Sequence, residues 1–210
     1  MTDTLAFASI LCSRLCHDLV NPVGAVSNGI EMLADENDPD MRDQVLALLE
    51  QSARQVANRL QFFRLAFGAA GGMGETLAMA QIRQAAEALF ADGKTDLRWQ
   101  PQLAEISKPG AKLLLNLVLV GAESLLRGGT VTVTAGPLGG GVEIEVLAEG
   151  ERVLVMESVQ KALSGAVDLD TLDAKGAPAF LARQIATALG GRIAWRENGD
   201  GAISLTAVLP

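Results

Sequence analysis

A single histidine is the side chain of this sequence best suited to chemistry. His17 is the only histidine in 210 residues, Asp18 follows it at once, and Asn21 lies one helical turn further on. A neutral imidazole is a good nucleophile near pH 7, because one ring nitrogen keeps a free lone pair. Asp18 is placed to hold or take a proton during an in-line attack on phosphorus, and Asn21 to orient the ring or an incoming oxygen. These three residues are the candidate catalytic group, although a histidine on a polar helix face can also have no chemical role.

The surface around His17 is predicted to receive a protein partner. With 3.6 residues per turn, His17 shares a face with small and polar residues, which leave room for a large partner to approach. Pro22 lies inside the predicted helix, one turn past the histidine, where a proline removes a backbone hydrogen bond. A departure from helix preferences of this kind is expected near a functional site. Counting from the turn between the first two helices places residues of the second helix level with this face, although an ion pair along the helix is an alternative role for its arginine. The predicted partner-binding residues are Arg14, Gly24, Ala25, Asn28, Gln51 and Arg54.

Two amphipathic helices are predicted at the amino terminus. Apolar or small residues recur three and four apart over residues 5–33 and 41–67, the spacing of helices packed in a bundle. Asp38 and Pro39 form a start signal for the second helix. Each helix of this antiparallel hairpin has one neighbour within the chain, so we expect a second copy to complete a dimeric four-helix bundle. The apolar seam of the first helix is Leu5, Ala8, Cys12, Leu15, Leu19, Val26, Ile30 and Leu33.

The rest of the chain is predicted to form a two-layer α/β domain. The glycine-rich run at residues 68–74 reads as a flexible link, so we place the hairpin at residues 1–68 and the second domain at residues 75–210. The fold class is therefore α+β, with helices on one face of a mixed sheet. Helices are predicted at 76–91, 108–126, 153–163 and 177–189, and strands at 96–100, 130–136, 142–148, 191–196 and 202–210.

Composition narrows the range of partners. A net charge of -8 and a pI of about 4.7 argue against nucleic-acid binding. The longest apolar stretch, residues 113–121, contains an asparagine and is too short to span a bilayer, and no amino-terminal signal is evident, so we expect a cytoplasmic protein without a membrane partner. Cys12 and Cys16 are expected to be reduced thiols packed in the helical seam.

The run HDLVNP at residues 17–22 resembles the phospho-acceptor motif of two-component sensor kinases, His-Asp/Glu-x-x-Asn/Thr-Pro. In those kinases the motif lies on the first helix of a dimeric four-helix bundle. From residue 76 to the end, the order of elements is similar to that of the kinase ATP-binding domain. The resemblance therefore extends over both halves of the chain.

The nucleotide-binding residues of that kinase domain are missing. LLLNLVLVGAES is similar to the kinase N box, with Val120 where an asparagine would hold magnesium, and a valine cannot ligate a hard cation. VLAEGERV has Ala148 where an aspartate would bind adenine. The phosphate-binding Gly-x-Gly is replaced by Gly176-Ala177-Pro178, which has one backbone donor fewer. We expect the chain to bind neither ATP nor a metal of its own.

A histidine-bearing hairpin beside such a domain is similar to the ChpT-type histidine phosphotransferases of alphaproteobacterial phosphorelays. The most specific part of this likeness is CHDLVNPVGAVSNGIEML. It implies a homodimer in which His17 takes a phosphoryl group from the receiver aspartate of a hybrid kinase and passes it to a response-regulator receiver, with magnesium supplied by the receiver. Two alternatives stay open, namely an ATP-dependent sensor kinase core and a non-catalytic dimer that binds receivers.

Overall fold

The computed structural model describes residues 3–68, 75–199 and 201–210 of this chain. The predicted link at residues 69–74 and Asp200 of the last turn lie outside the described residues, and the domain boundaries stay a prediction. The helices are α1 Asp3–Asp35, α2 Pro39–Ala66, α3 Met79–Phe90, α4 Lys108–Ser124, α5 Glu157–Ser164 and α6 Ala177–Ala188. The strands are β1 Thr76–Ala78, β2 Thr95–Trp99, β3 Glu105–Ser107, β4 Gly129–Leu138, β5 Gly141–Glu149, β6 Arg192–Glu197 and β7 Ala202–Leu209.

The first two helices form a hairpin. α1 and α2 are joined by residues 36–38 and pack against each other. Asp38 caps α2, because its side chain accepts a hydrogen bond from the backbone N–H of Asp40, and Pro39 occupies the first turn. α1 continues through Pro22, which is buried. The hairpin thus carries His17 near the middle of its longer helix.

The remaining described residues form the α/β unit. Its five-stranded sheet has the order β2-β4-β5-β7-β6, in which β2 and β4 are parallel and the other neighbours are antiparallel. Alternate residues of β4, β5 and β7 are buried, and α4 and α6 pack against the sheet. The predicted mixed sheet with helices on one face is confirmed. α4 is almost wholly buried because it lies between the sheet and the hairpin.

The hairpin is fixed to the α/β unit at several points. The rings of Phe7 on α1 and Phe180 on α6 lie 4.9 Å apart, centroid to centroid. Asn116 of α4 donates a hydrogen bond from Nδ2 to the carbonyl oxygen of Ala66, at the end of α2, at 3.0 Å. Arg14 of α1 also contacts Glu123 of α4, so the part of α1 that precedes His17 lies beside α4.

Two helix predictions were wrong at their starts. The helix predicted at 76–91 begins at Met79, because residues 76–78 pair with β3 as a separate two-stranded sheet that the sequence did not indicate. The helix predicted at 153–163 begins at Glu157. Val153 instead bridges to Leu125, and the N–H of Leu154 donates to the carbonyl oxygen of Ser124 at 2.9 Å. Both segments satisfy their backbone groups by pairing rather than by a helical turn.

The predicted seam of α1 is only partly covered within a single chain. Within the single chain, Leu15, Leu19 and Val26 are half-buried, whereas Leu5 and Ile30 are exposed. Cys12 and Cys16 are free, and both are exposed in the single chain. The reason is that α2 and the α/β unit cover only part of the apolar surface of α1. The uncovered part, here called the apolar stripe, consists of Leu5, Cys12, Cys16, Val20, Val23 and Ile30.

Candidate functional site

His17 lies on the outer surface of α1. Its side chain is 71% exposed, as its position off the packed seam predicted. Its ring nitrogen Nδ1 lies 3.0 Å from Oδ1 of Asp18. Because a carboxylate oxygen accepts hydrogen bonds, this contact favours the ring tautomer that has its proton on Nδ1. Nε2 is then left with the lone pair that a nucleophile needs.

Asp18 is held from its other side by Arg14. The guanidinium Nε of Arg14 donates to Oδ2 of Asp18 at 2.7 Å, and the Asp18 side chain is only 11% exposed. Both carboxylate oxygens are therefore engaged, one with the imidazole and one with the guanidinium. The two contacts orient the Asp18 carboxylate between Arg14 and His17.

Arg14 is bound in turn by the α/β unit. Its two terminal nitrogens form a forked pair with the carboxylate of Glu123 on α4, one of them at 3.2 Å from Oε2. The same Nη1 lies 3.5 Å from the carbonyl oxygen of Ala174. Burial alone would lower the pKa of Arg14, but the hydrogen bond and charge of Glu123, with the charge of Asp18, raise it above its ordinary value.

The prediction that Arg14 faces a partner was wrong. Arg14 is only 3% exposed, because its guanidinium turns inward to reach the carboxylates of Asp18 and Glu123. Helical periodicity alone had placed it on the same face as His17. Glu123 was missed because it stands 109 residues from Arg14 and no local pattern relates the two. The only signal was an acid at the end of an otherwise apolar helix.

A cleft of about 520 Å³ opens beside His17, between α1 and the α/β unit. Its wall on the hairpin side contains Arg14, His17 and Asp18. Its other wall belongs to the α/β unit and is formed by Val120, Glu123, Ser124, Leu154, Met156, Val159, Asp173, Ala174 and Lys175. The histidine and the part of the domain that resembles a nucleotide site thus border one space.

Several residues in and near this cleft offer apolar or acidic groups where a nucleotide or its metal would need ligands. Val120 and Ala148 are buried apolar side chains of the core. At the start of α6, Oδ1 of Asp173 accepts a hydrogen bond from the backbone N–H of Gly176 at 2.7 Å. A carboxylate thus takes a donor that a phosphate would need, and Pro178 lacks an N–H. Among the residues that the structure describes, no group of three or more acidic, histidine or cysteine side chains could hold a metal ion.

The other predicted partner-binding residues are accessible to different degrees. Asn21 and Asn28 are exposed, and Gly24 and Ala25 are half-buried. On α2, Gln51 and Arg54 are exposed. The guanidinium of Arg54 lies 3.2 Å from the carboxylate of Glu50, so the ion pair along the helix that the sequence left open is present. We call the exposed surface around His17, Asn21, Gly24 and Asn28 the acceptor face.

The site is an exposed imidazole beside a carboxylate, on a helical hairpin that packs against an α/β unit. The family model described as the histidine phosphotransferase C-terminal domain matches residues 79–201. The protein phosphotransferase ChpT of Brucella abortus (strain 2308) is 32% identical over 198 residues, which cover 94% of this chain and 93% of that protein. This chain therefore belongs to the histidine phosphotransferase family.

One solved structure agrees with this assignment. A structure described as that of a bacterial phosphotransferase superposes with a TM-score of 0.84 at 29% identity, and the match covers 97% of this chain and 96% of that one. The histidine kinase AdeS of Acinetobacter baumannii superposes with a TM-score of 0.48 at 13% identity, covering 92% of this chain and 96% of that one. Among the helices that the structure describes, none combines the length and apolar character of a membrane span.

Proposed function

We propose that this histidine phosphotransferase works in a two-component phosphorelay and carries the phosphoryl group on Nε2 of His17. The observation that carries the proposal is the exposed imidazole whose Nδ1 lies 3.0 Å from Oδ1 of Asp18. This contact leaves Nε2 as the nucleophile and directs it away from the helix that bears it. The donor is the phosphorylated receiver aspartate of a hybrid kinase, and the acceptor is the receiver of a response regulator. A cytoplasmic location stays a prediction.

The transfer is a reversible nucleophilic displacement at phosphorus. The Nε2 lone pair of His17 forms a bond to phosphorus while the bond from phosphorus to the receiver's carboxylate oxygen breaks, and the carboxylate leaves with that electron pair. The Nδ1 proton stays on the ring, which becomes positively charged, and Asp18 stabilises this charge through its hydrogen bond. In the second half-reaction a carboxylate of the acceptor receiver attacks the same phosphorus and Nε2 leaves. Magnesium is supplied by the receiver.

No autokinase activity is expected of this chain. Buried Val120 and Ala148 supply no ligand for magnesium or adenine, and Asp173 occupies the start of α6 with a negative charge. These features favour a transferase over the ATP-dependent kinase core that the sequence left as an alternative. The exposed and oriented His17 favours it over a dimer that only binds receivers.

A second copy of this chain is the proposed occupant of the apolar stripe. Six apolar or thiol side chains at helical spacing face solvent along α1, and α2 adds Met41, Leu46, Leu48 and Leu60, which are also exposed. An exposed row of apolar side chains such as the apolar stripe marks an interaction site. Packing two hairpins together would form the four-helix bundle expected from the sequence.

The acceptor face is the proposed docking surface for receivers. A receiver must bring its aspartate to about 3 Å from Nε2 of His17, and small side chains such as Gly24 and Ala25 allow this approach. Asn21 and Asn28 offer amide groups beside it, and Gln51 and Arg54 on α2 are candidate contacts at the same level. The guanidinium of Arg54 can pair with acidic groups of the partner.

The proposal is tested by a two-step relay in solution. The protein is incubated with a phosphorylated receiver and then with a second receiver, and the label is followed by denaturing electrophoresis. We expect label to pass through this chain, and His17→Ala to block both steps while the variant still binds receivers. Label acquired from ATP alone would favour the kinase core, and unimpaired relay by His17→Ala would contradict the proposal.

A further inference from the structure

We propose that Arg14 and Glu123 are positioning residues that couple the α/β unit to the imidazole of His17. This inference rests on the proposed function, because it concerns the histidine that carries the phosphoryl group. The chain of contacts runs from Glu123 on α4 to Arg14, from Arg14 to Asp18, and from Asp18 to Nδ1 of His17. Through these contacts the α/β unit would influence phosphoryl transfer although we expect it to bind no nucleotide.

The first link is the carboxylate of Asp18. Oδ2 accepts from Nε of Arg14 at 2.7 Å, and Oδ1 faces Nδ1 of His17 at 3.0 Å. Without Arg14, this carboxylate could rotate about its side-chain bonds and release the ring. A freely rotating imidazole would populate both tautomers, and Nε2 would carry the proton for part of the time. Arg14 therefore acts on the nucleophile through Asp18.

The second link fixes Arg14 itself. An arginine on α1 has four single bonds to the guanidinium, so a contact within its own helix does not hold it in one place. Glu123 forms the forked pair with it from α4, and the carbonyl oxygen of Ala174 lies within 3.5 Å of Nη1. These two partners belong to segments 109 and 160 residues away. The orientation of His17 thus depends on how the hairpin sits against the α/β unit.

The third observation is burial. Arg14 is one of the few charged residues that the structure buries, whereas the ion pairs Arg54–Glu50, Arg83–Glu87 and Arg127–Glu151 all have exposed partners. Exposed pairs of that kind hold side chains weakly. In the Arg14–Glu123 pair the guanidinium is buried, although the Glu123 side chain is 37% exposed. The forked contact and the burial of Arg14 together restrict the guanidinium to one geometry, which is the property that a positioning group requires.

The test uses the fact that His17 is the only histidine of the chain. The two imidazole nitrogens can therefore be observed without overlap in ¹⁵N NMR spectra of the unphosphorylated protein, and they report the tautomer directly. The variants are Arg14→Lys, which keeps the charge but not the fork, Arg14→Met, Glu123→Gln and the double variant Arg14→Met/Glu123→Gln. Arg183→Met is the matched control, because Arg183 is a partly buried arginine that donates to the carbonyl oxygen of Leu163, away from Asp18.

We expect the Nδ1–H tautomer to dominate in the natural protein and in Arg183→Met. Its population should fall in Arg14→Lys, Arg14→Met and Glu123→Gln. The rate constant of phosphoryl transfer should fall roughly 10- to 100-fold in Arg14→Met, by analogy with groups that orient histidine ligands of metals. The KM for the phosphorylated receiver should stay the same. The double variant should be no slower than Arg14→Met, because both substitutions break one chain of contacts.

Unchanged imidazole resonances in Arg14→Lys and Glu123→Gln, both shown to be folded by circular dichroism, would overturn the inference. A rise in KM at constant rate constant would also overturn it, since it would make Arg14 part of the docking surface. Additive losses of rate in the double variant would also overturn the inference, because they would show that Arg14 and Glu123 act independently. Phosphoryl label on a residue other than His17 would instead overturn the proposed function, so the two failures are distinguishable.

Discussion

Gly29 of α1 lies so close to Leu49 of α2 that a Cβ atom at Gly29 would be 2.7 Å from Cδ2 of Leu49. Five residues earlier, a Cβ atom at Gly24 would meet nothing within 4 Å. The first glycine lets the two helices of the hairpin approach closely. The second lies on the acceptor face with open space around it, so a side chain added there would project from that face without straining the hairpin.

Replacing Gly24 by leucine should weaken receiver binding while leaving the fold intact. The added side chain has space within the chain, and helix propensity should leave the free energy of unfolding unchanged or raise it by up to about 1 kcal/mol. Receiver affinity is measured by calorimetry and stability by urea denaturation. Gly29→Leu is the contrasting variant, and overpacking against Leu49 should destabilise it by about 1–3 kcal/mol. Normal receiver affinity of Gly24→Leu would show that receivers dock elsewhere.

Replacing Asp18 by asparagine should slow phosphoryl transfer with little loss of receiver binding. The amide keeps one acceptor but presents N–H donors, so it cannot accept from both Arg14 and His17, and it carries no charge to stabilise a positive ring. We expect transfer roughly 100-fold slower, the lower end of what a proton-holding group contributes. Rapid-quench kinetics at saturating phosphorylated receiver give this rate constant. A rate equal to that of the natural protein would remove Asp18 from the mechanism.

A glutamate at Ile30 should dissociate the proposed dimer. Ile30 is 60% exposed in the single chain, so the substitution spares the chain's own core, whereas a charge in the interface would be buried without a partner. Leu15 is a poorer choice because it packs against the core. Light scattering should give a dimer for the natural protein and for the control Leu138→Glu, and a folded monomer for Ile30→Glu. A natural protein that is monomeric at high concentration would refute the dimer.

The local parts of this structure could be predicted from the sequence. The α2 start at Asp38 and Pro39 and the cap of α4 by Ser107 depend on side chains next to the backbone groups that they satisfy. The pairing of His17 with Asp18 is equally local, because the two residues are adjacent. Strands β4 and β5 were predicted from their alternation, which the sheet needs in order to bury one face.

The remainder depends on tertiary contacts. Strand β1 has three residues, too few for a period of two to be recognised, and it exists because β3 pairs with it. The inward turn of Arg14 is set by Glu123, and no periodicity relates positions so far apart. The exposure of Cys12 and Cys16 follows from how much of α1 its neighbours cover, a property that a helical pattern does not encode.

Calorimetry with ATP and magnesium should show no saturable heat at micromolar protein. The expectation follows from Val120 and Ala148, which offer no ligand, and from the carboxylate of Asp173 at the start of α6. An active sensor kinase serves as the positive control under the same conditions. Saturable binding in the micromolar range would mean that the α/β unit holds nucleotide by other residues.

The most direct measurement is the location of the phosphoryl group after one transfer. The protein is mixed with a phosphorylated receiver, quenched at alkaline pH to preserve a bond between nitrogen and phosphorus, digested and analysed by mass spectrometry. We expect one phosphoryl group, on His17, and none on the His17→Ala variant, which should still bind the receiver. A phosphoryl group on another residue, or one acquired by His17→Ala, would contradict the account.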